Sequence, residues 1–386
     1  MSRGLGDVYK RQPLVLALFA AAPWGAAETI ASDGARVVFL GDSGSGSADQ
    51  KAVARQMRRV EDDLRHVFML GDNVYFTGKS GRFEGAFHGP YRRFLERRDP
   101  DGEAQIAFHA TLGNHDVLRS CEVTPDEEGT LARDREAYGW QEEGCDVEEQ
   151  LADPAFGYVD GNRYYQVDVR DADGTVVAEV FVLDSNTLPS EKHPEREDVK
   201  QLEWWTDAIR ASRTRAAESG HVPWRIVTQH HPVRTPTARG YLFGLGGHQE
   251  DPTLLEALGR ALRQEESEVD HALESKLEPM FASSAINAAF AGHNHFYARV
   301  RPGEDGIRFF VSGGGGIAVY EPDLDSVPTE AGGGFHHFVT AVLSRDRFEY
   351  CTIDSLGRVR DHGYWERDME RDQPLGDDRY RAVCRP

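Results

Sequence analysis

Apolar residues along this chain recur in short runs, and most runs end in a polar cluster. Arg36-Val37-Val38-Phe39-Leu40 closes on Gly41-Asp42-Ser43-Gly44, and Val67–Leu70 closes on Gly71-Asp72-Asn73. Gln105–Leu112 closes on Gly113-Asn114-His115-Asp116. Short apolar runs bounded by turn residues predict buried strands. Further strands are predicted over Tyr164–Val169, which alternates, and over Val176–Leu183, which is more continuous and ends in Asp184-Ser185-Asn186. Trp224–Thr228 runs into Gln229-His230-His231-Pro232, and Ile286–Ala291 into Gly292-His293-Asn294-His295. Arg308–Ser312 precedes four glycines, while Phe338–Leu343 and Arg347–Ile353 alternate as strands do. Between these runs the period changes. Val53, Met57, Val60 and Leu64 predict an amphipathic helix over 48–66. Phe83, Phe87, Tyr91 and Phe94 predict a helix over 83–97, and Leu202, Trp205 and Ile209 one over 198–217. Residues 251–282 read as mostly helical and charged, and 360–386 as a polar wrap over the surface.

The opening is strand, helix, strand, and no composition break or repeat interrupts the remainder of the chain. One α/β domain is expected over 28–370, with a tail over 371–386. In open α/β sheets the ligand site lies beyond the carboxyl ends of the strands. Five strand ends here deliver Asp42; Asp72 and Tyr75; Asn114 and His115; His230; and His293 with His295 to one such edge. Packing alone gives no reason for five coincident placements. A single Asp after a strand is ordinarily a turn or cap residue, and a buried His is ordinarily a hydrogen-bonded core residue. His66, His88, His109, His221, His336 and His337 take that reading. His293 and His295 differ, because one residue separates them after a glycine.

Charge and termini add constraints. Lys10 and Arg11 precede an apolar run from Leu14 to Trp24 and the small residues Gly25-Ala26-Ala27, the pattern of a secretory signal peptide over 1–27. Residues 1–12 look like a sequencing or cloning artefact. No later apolar stretch reaches eighteen residues, and no Cys near the cleavage site points to a lipid anchor. A secreted or periplasmic location is expected. The formal charge of −21 disfavours nucleic acid and stable association with anionic membranes. It also means that an anionic substrate needs strong local positive charge, which a pair of metal cations supplies. The cysteines are Cys121, Cys145, Cys351 and Cys384, with no Cys-x-x-Cys pair. In an exported chain they point to disulfides, and of three connectivities Cys121–Cys145 with Cys351–Cys384 closes short loops. Residues 117–155 turn strongly acidic and lose their periodicity, which reads as a disulfide-pinned surface insertion, and 233–250 reads as a glycine-rich rim loop.

Taken in order, Asp42-Ser43-Gly44, Gly71-Asp72, Gly113-Asn114-His115-Asp116, His230-His231-Pro232 and Gly292-His293-Asn294-His295 resemble the blocks of the calcineurin-like metallophosphoesterases. The resemblance runs from residue 35 to about 315. Gly71-Asp72-Asn73-Val74-Tyr75-Phe76-Thr77-Gly78 is similar to the purple, or tartrate-resistant, acid phosphatases, in which the tyrosine ligates a ferric ion. The fold this implies is a four-layer α/β-β/α sandwich of two mixed β-sheets flanked by helices. The ligands it implies are Asp42, Asp72, Tyr75 and His295 for Fe(III), and Asp72, Asn114, His230 and His293 for Fe(II), Zn or Mn. Hardness agrees, since carboxylates and a phenolate suit a trivalent ion and imidazoles with an amide suit a divalent one. His231 is the alternative to His230, which the family's spacing to Pro232 favours. The implied activity is hydrolysis of small phosphate monoesters by a metal-bound hydroxide, with His115 as general acid, Asp116 orienting it by hydrogen bond, and His248 facing the substrate. A phosphodiesterase or nucleotidase using the same metal pair is the alternative, and a catalytically silent metal-binding module the second. Gly313–Gly316 lacks the Lys and helix of a phosphate loop and reads as close backbone packing beneath the site. The acidic stretch after Asp116 and the glycines after Arg234 depart from the family pattern, so substrate specificity does not carry over.

Overall fold

The computed structural model describes residues 34–99, 101–117, 146–188, 198–238 and 273–385. The chain opens with β1 (Gly34–Leu40), the helix Ala48–Met57, β2 (Leu64–Met69) and β3 (Ala107–Ala110). Then come β4 (Tyr165–Arg170), β5 (Val176–Val182), the helix Val199–Ser219, β6 (Trp224–Gln229) and β7 (Thr237–Ala238). After a helical stretch over 273–283 follow β8 (Ala288–Ala291), β9 (Tyr297–Val300), β10 (Arg308–Ser312), β11 (Pro322–Asp323) and β12 (Thr329–Gly333). The last elements are β13 (His337–Ser344), β14 (Arg347–Asp354), β15 (Val359–Glu366) and the helix Asp377–Cys384.

Two mixed sheets result. One has the order β15-β14-β13-β1-β2-β3, the other β12-β9-β10-β8-β6-β5-β4, and β7 with β11 forms a small ribbon. β1, β2 and β3 run parallel, as do β5, β6, β8 and β10, while the outer strands are antiparallel. The sheets meet through aromatic rings: Phe39 of β1 stacks on Phe290 of β8 with centroids 3.7 Å apart. Helices cover the outer faces. Trp205 and Ile209, with Leu277 and Phe281, pack on Phe181, Val227 and Ala289 of the second sheet. With both faces covered, β1 is buried along nearly its whole length, as parallel strands of α/β proteins are.

Arg36 is the polar exception in β1. Its guanidinium pairs with Asp63 at 2.9 Å and donates to the carbonyls of Val383 and Ala382 at 2.8 and 2.7 Å. The last helix is thereby tied to the first strand. Residues 360–386 therefore do not wrap the surface as their polarity predicts. They supply β15 and a helix whose Val383 and Cys384 are buried, with Cys384 disulfide-bonded to Cys351.

Other differences have local causes. The helix predicted over 48–66 ends at Met57; Val60 and Leu64 keep the spacing because turn and strand face the same core. The stretch over 83–97 is broken into a π turn, Glu84–His88, and an α-helix, Gly89–Leu95, since Pro90 has no N–H to continue the regular ladder. Within 117–155, Asp146–Ala152 is a helix that buries Val147 and Leu151. The signal peptide, Cys121, Cys145 and His248 lie outside the described residues.

Candidate metal centre

The carboxyl ends of the parallel strands of both sheets come together. The Gly41 N–H donates to Ser312 at 2.9 Å, Asp42 N–H to Gly71 at 3.0 Å, and Gly292 N–H to His230 at 3.0 Å. Three side-chain bearers at this edge, Asp42, Asp72 and His293, have φ of 56°, 54° and 71°. The left-handed region costs an L-residue roughly 1–2 kcal/mol, and such strain gathers at functional sites. It turns each side chain back over the strand ends. The glycines before the ligand candidates permit close approach: a Cβ on Gly113 would sit 2.2 Å from Asp72 Oδ1, and one on Gly292 2.4 Å from Asp42 Oδ2.

Two clusters of lone pairs form there. In the first, the Tyr75 hydroxyl lies 3.2 Å from both Asp42 Oδ1 and His295 Nε2, and those two atoms are 3.5 Å apart. In the second, Asn114 Oδ1 lies 2.8 Å from His230 Nε2 and 3.2 Å from His293 Nδ1, which are themselves 3.2 Å apart. Asp72 sits between the two, with Oδ1 3.5 Å from His230 Nε2, and ligand atoms of Asp42, Asp72 and His230 lie mutually within 4.8 Å.

Neighbouring carbonyls set the tautomers. His230 Nδ1–H donates to the Leu70 carbonyl at 2.8 Å, and His295 Nδ1–H to that of Ala318 at 3.1 Å. Each Nε2 is then left with a lone pair aimed inward, the arrangement that outer partners impose on metal-binding histidines. Among the described residues, Nε2 of His293 is buried without a partner. Burial holds the imidazoles neutral: the pKa of His230 is lowered, that of His293 falls well below the usual value, and that of His295 is near 4. Burial and the Asp72 carboxylate push Asp42 well above the ordinary range, and burial with the same two carboxylates pushes the Tyr75 phenol up. Among the described residues neither aspartate pairs with Lys or Arg. Neutral imidazoles and uncompensated buried oxygen donors, converging at these distances, fit a pair of cations in chemistry and number.

His231 belongs to the same cluster: one of its ring nitrogens lies within 4.8 Å of ligand atoms of His230 and His293, a further group that could hold a cation. Its Nδ1 lies 2.8 Å from Ser185 Oγ, which also accepts the His231 N–H, and its ring neighbours His230 and His293. His115 holds its Nδ1 2.8 Å from the Phe76 carbonyl, with the Tyr75 ring 4.6 Å away. Asp116 does not orient His115 as the sequence suggests. Its buried carboxylate accepts from the backbone of Gly113, Asn73 and Val74 and from the Asn73 amide, at 2.8–3.1 Å. Asp116 points back into the two strand-end loops and pins one to the other. Gly313 does pack closely, since a Cβ there would lie 2.2 Å from the Asn294 carbonyl oxygen.

Some contributors carry no signal in the sequence. The carbonyls of Leu70, Phe76 and Ala318 belong to residues of any type. Asn294, between the two histidines, donates to Thr235 at 2.7 Å and accepts from Tyr320 at 3.1 Å, and neither partner stands in a recognisable block.

Known proteins share this fold. Over 325 residues the chain is 23% identical to human tartrate-resistant acid phosphatase type 5, covering 80% of this chain and 74% of that protein. Among solved structures it resembles purple acid phosphatase PPD1 from yellow lupin seeds, with TM-score 0.54, 17% identity, and coverage of 88% of this chain and 55% of that one. It also resembles GAP50, the anchor in the inner membrane complex of Plasmodium, with TM-score 0.56, 14% identity, and coverage of 88% and 90%. Residues 35–297 match the family described as calcineurin-like phosphoesterase; the chain belongs to that family and is a metal-dependent phosphoric ester hydrolase similar to the acid phosphatases.

Proposed function

We propose that the chain is an exported phosphomonoesterase with a mixed-valent or heterometallic pair, Fe(III) among Asp42, Asp72, Tyr75 and His295, and Fe(II), Zn or Mn among Asp72, Asn114, His230 and His293. The observation that carries this reading is the pair of lone-pair clusters joined through Asp72. If bound there, such a pair would supply positive charge for phosphate oxygens and acidity for a water. The chain's own residues do the rest. The Leu70 and Ala318 carbonyls keep His230 and His295 in the ligating tautomer. His115, with Nδ1 held by the Phe76 carbonyl and no partner to Nε2 among the described residues, is placed to give the proton that the departing alkoxide or phenoxide takes up. Asp116 holds the two loops that bear Asp72, Asn114 and His115 in register. Export is supported by the Lys10-Arg11 and Leu14–Trp24 pattern and by the Cys351–Cys384 disulfide; among the described residues no helix is long and apolar enough to cross a membrane.

Elemental analysis of the purified protein, with turnover of phenyl phosphate and of its bis ester, tests the reading. Two metals per chain, one of them iron, and a preference for the monoester are expected. Turnover favouring the diester would transfer the assignment to a phosphodiesterase. A metal-loaded protein inert towards both would leave a binding module.

A further inference from the structure

Although the chain as a whole carries −21, one groove on it is cationic. It lies between the helices Ala48–Met57 and Gly89–Leu95, has a volume of about 1050 Å³, and is lined by no residue of the metal centre. Six of its lining residues are Lys or Arg and three are acidic, so its local balance opposes that of the molecule. Two of the acids are already engaged: Glu61 pairs with Arg93 and Arg97, and Asp62 with Arg97. Lys51, Arg55 and Arg58 are exposed and stand in no salt bridge among the described residues.

Those three stand at i, i+4 and i+7, on one face of the helix and the residue that caps it. At 1.5 Å of rise per residue they step about 6 Å and then about 4.5 Å along the axis. An extended peptide puts side chains of one face about 6.6–6.8 Å apart, so alternate carboxylates fall within reach of successive cations. Its other face meets the floor, where Ala54 and Phe94 are buried and Pro90 is half-exposed. Arginine forks suit carboxylates in this geometry. Single-stranded nucleic acid has a comparable charge spacing, but it relies on open aromatic faces for stacking. Phe94, the one aromatic lining residue, is 1% exposed.

We propose that the groove between these two helices docks an extended segment of a partner protein in which acidic residues alternate with small apolar ones. Lys51, Arg55 and Arg58 read the acids, and the small apolar side chains lie along the groove beside the half-exposed Pro90.

The test uses the full-length, metal-loaded protein and a fluorescein-labelled Glu-Val-Glu-Val-Glu-Val-Glu peptide, followed by polarisation at about 50 and about 300 mM salt. Binding should weaken about tenfold or more in K51E/R55E/R58E and at the higher salt, with phosphatase activity unchanged. The neutral set K51A/R55A/R58A should show the same direction, which guards against misfolding of the charge-reversed protein. An undetectable complex, or one equally strong in both triple variants, would overturn the proposal. A ten-residue oligothymidine bound as tightly, with the same dependence on the three cations, would replace the peptide by nucleic acid. A dimer of the unmodified protein that dissociates in the triple variants would assign the groove to a second copy. None of these outcomes depends on the phosphatase reading.

Discussion

At the scale of single residues, His115 and Tyr75 do different work although their rings touch. His115 is placed by a backbone carbonyl and takes no part in either lone-pair cluster. His115→Ala should therefore lower turnover about 10²–10⁴-fold, with metal content unchanged by elemental analysis; loss of an ion instead would make it a ligand. Tyr75 sits inside the first cluster. Under the proposed ferric assignment, Tyr75→Phe should abolish the phenolate-to-iron absorption in the visible spectrum. A colourless parent protein containing only zinc or manganese would remove iron from that site. Asp116 marks where residue identity misleads. An Asp beside a proposed acid suggests a dyad, whereas the four N–H groups around its carboxylate show that it fastens two loops together.

At the scale of elements, the strand ends were legible because each combines an apolar run with a glycine and a polar ligand type. Both signals have one cause: the candidate ligand of one strand packs against the glycine of the next. Gly292→Ala brings a Cβ to 2.4 Å from Asp42 Oδ2 and should cost the protein at least one bound ion. Gly81→Ala, with nothing within 4 Å of the new atom, should leave metal content and turnover unchanged. What could not be read is structure that depends on a distant partner. β12 is Thr329-Glu330-Ala331-Gly332-Gly333, poor in strand formers, and exists by pairing with β9. β9 itself begins two residues after His295, inside what reads as a strand-end block. The helix Asp377–Cys384 is polar along most of its length, and only its contacts with β13 and β14 reveal Val383 and Cys384 as core.

At the scale of the whole molecule, two kinds of buried polar group couple stability to conditions. His66 Nδ1 and His109 Nε2 lie 3.0 Å apart on adjacent strands, and burial lowers their pKa values to about 4 and about 3. The unfolded chain binds those protons near 6.5. Their contribution is thus complete above about pH 6.5 and is lost as pH falls towards 4. The urea midpoint should be lower at pH 5 than at pH 7, and His66→Gln/His109→Gln should narrow that difference. If the two proteins respond to pH alike, other groups govern acid stability. Arg36 is the second case. Deleting residues 377–386 removes both carbonyl acceptors from a buried guanidinium and strips Val383 and Cys384 from the core. The loss should exceed about 2 kcal/mol in urea unfolding.

That same tie has a temporal side. β1 lies at the middle of its sheet and pairs with β13, a strand some three hundred positions downstream, and Arg36 waits for carbonyls further on still. A ribosome can release β1 with β2 as its early partner and nearly the entire polypeptide before β13 arrives on the other side, so one edge of the first strand stays unpaired through most of synthesis. The corollary is a harsh one for nonsense mutations. A stop codon ahead of Ala382 removes the carbonyls that Arg36 binds, and the shortened product should be cleaved by proteases faster than the intact protein.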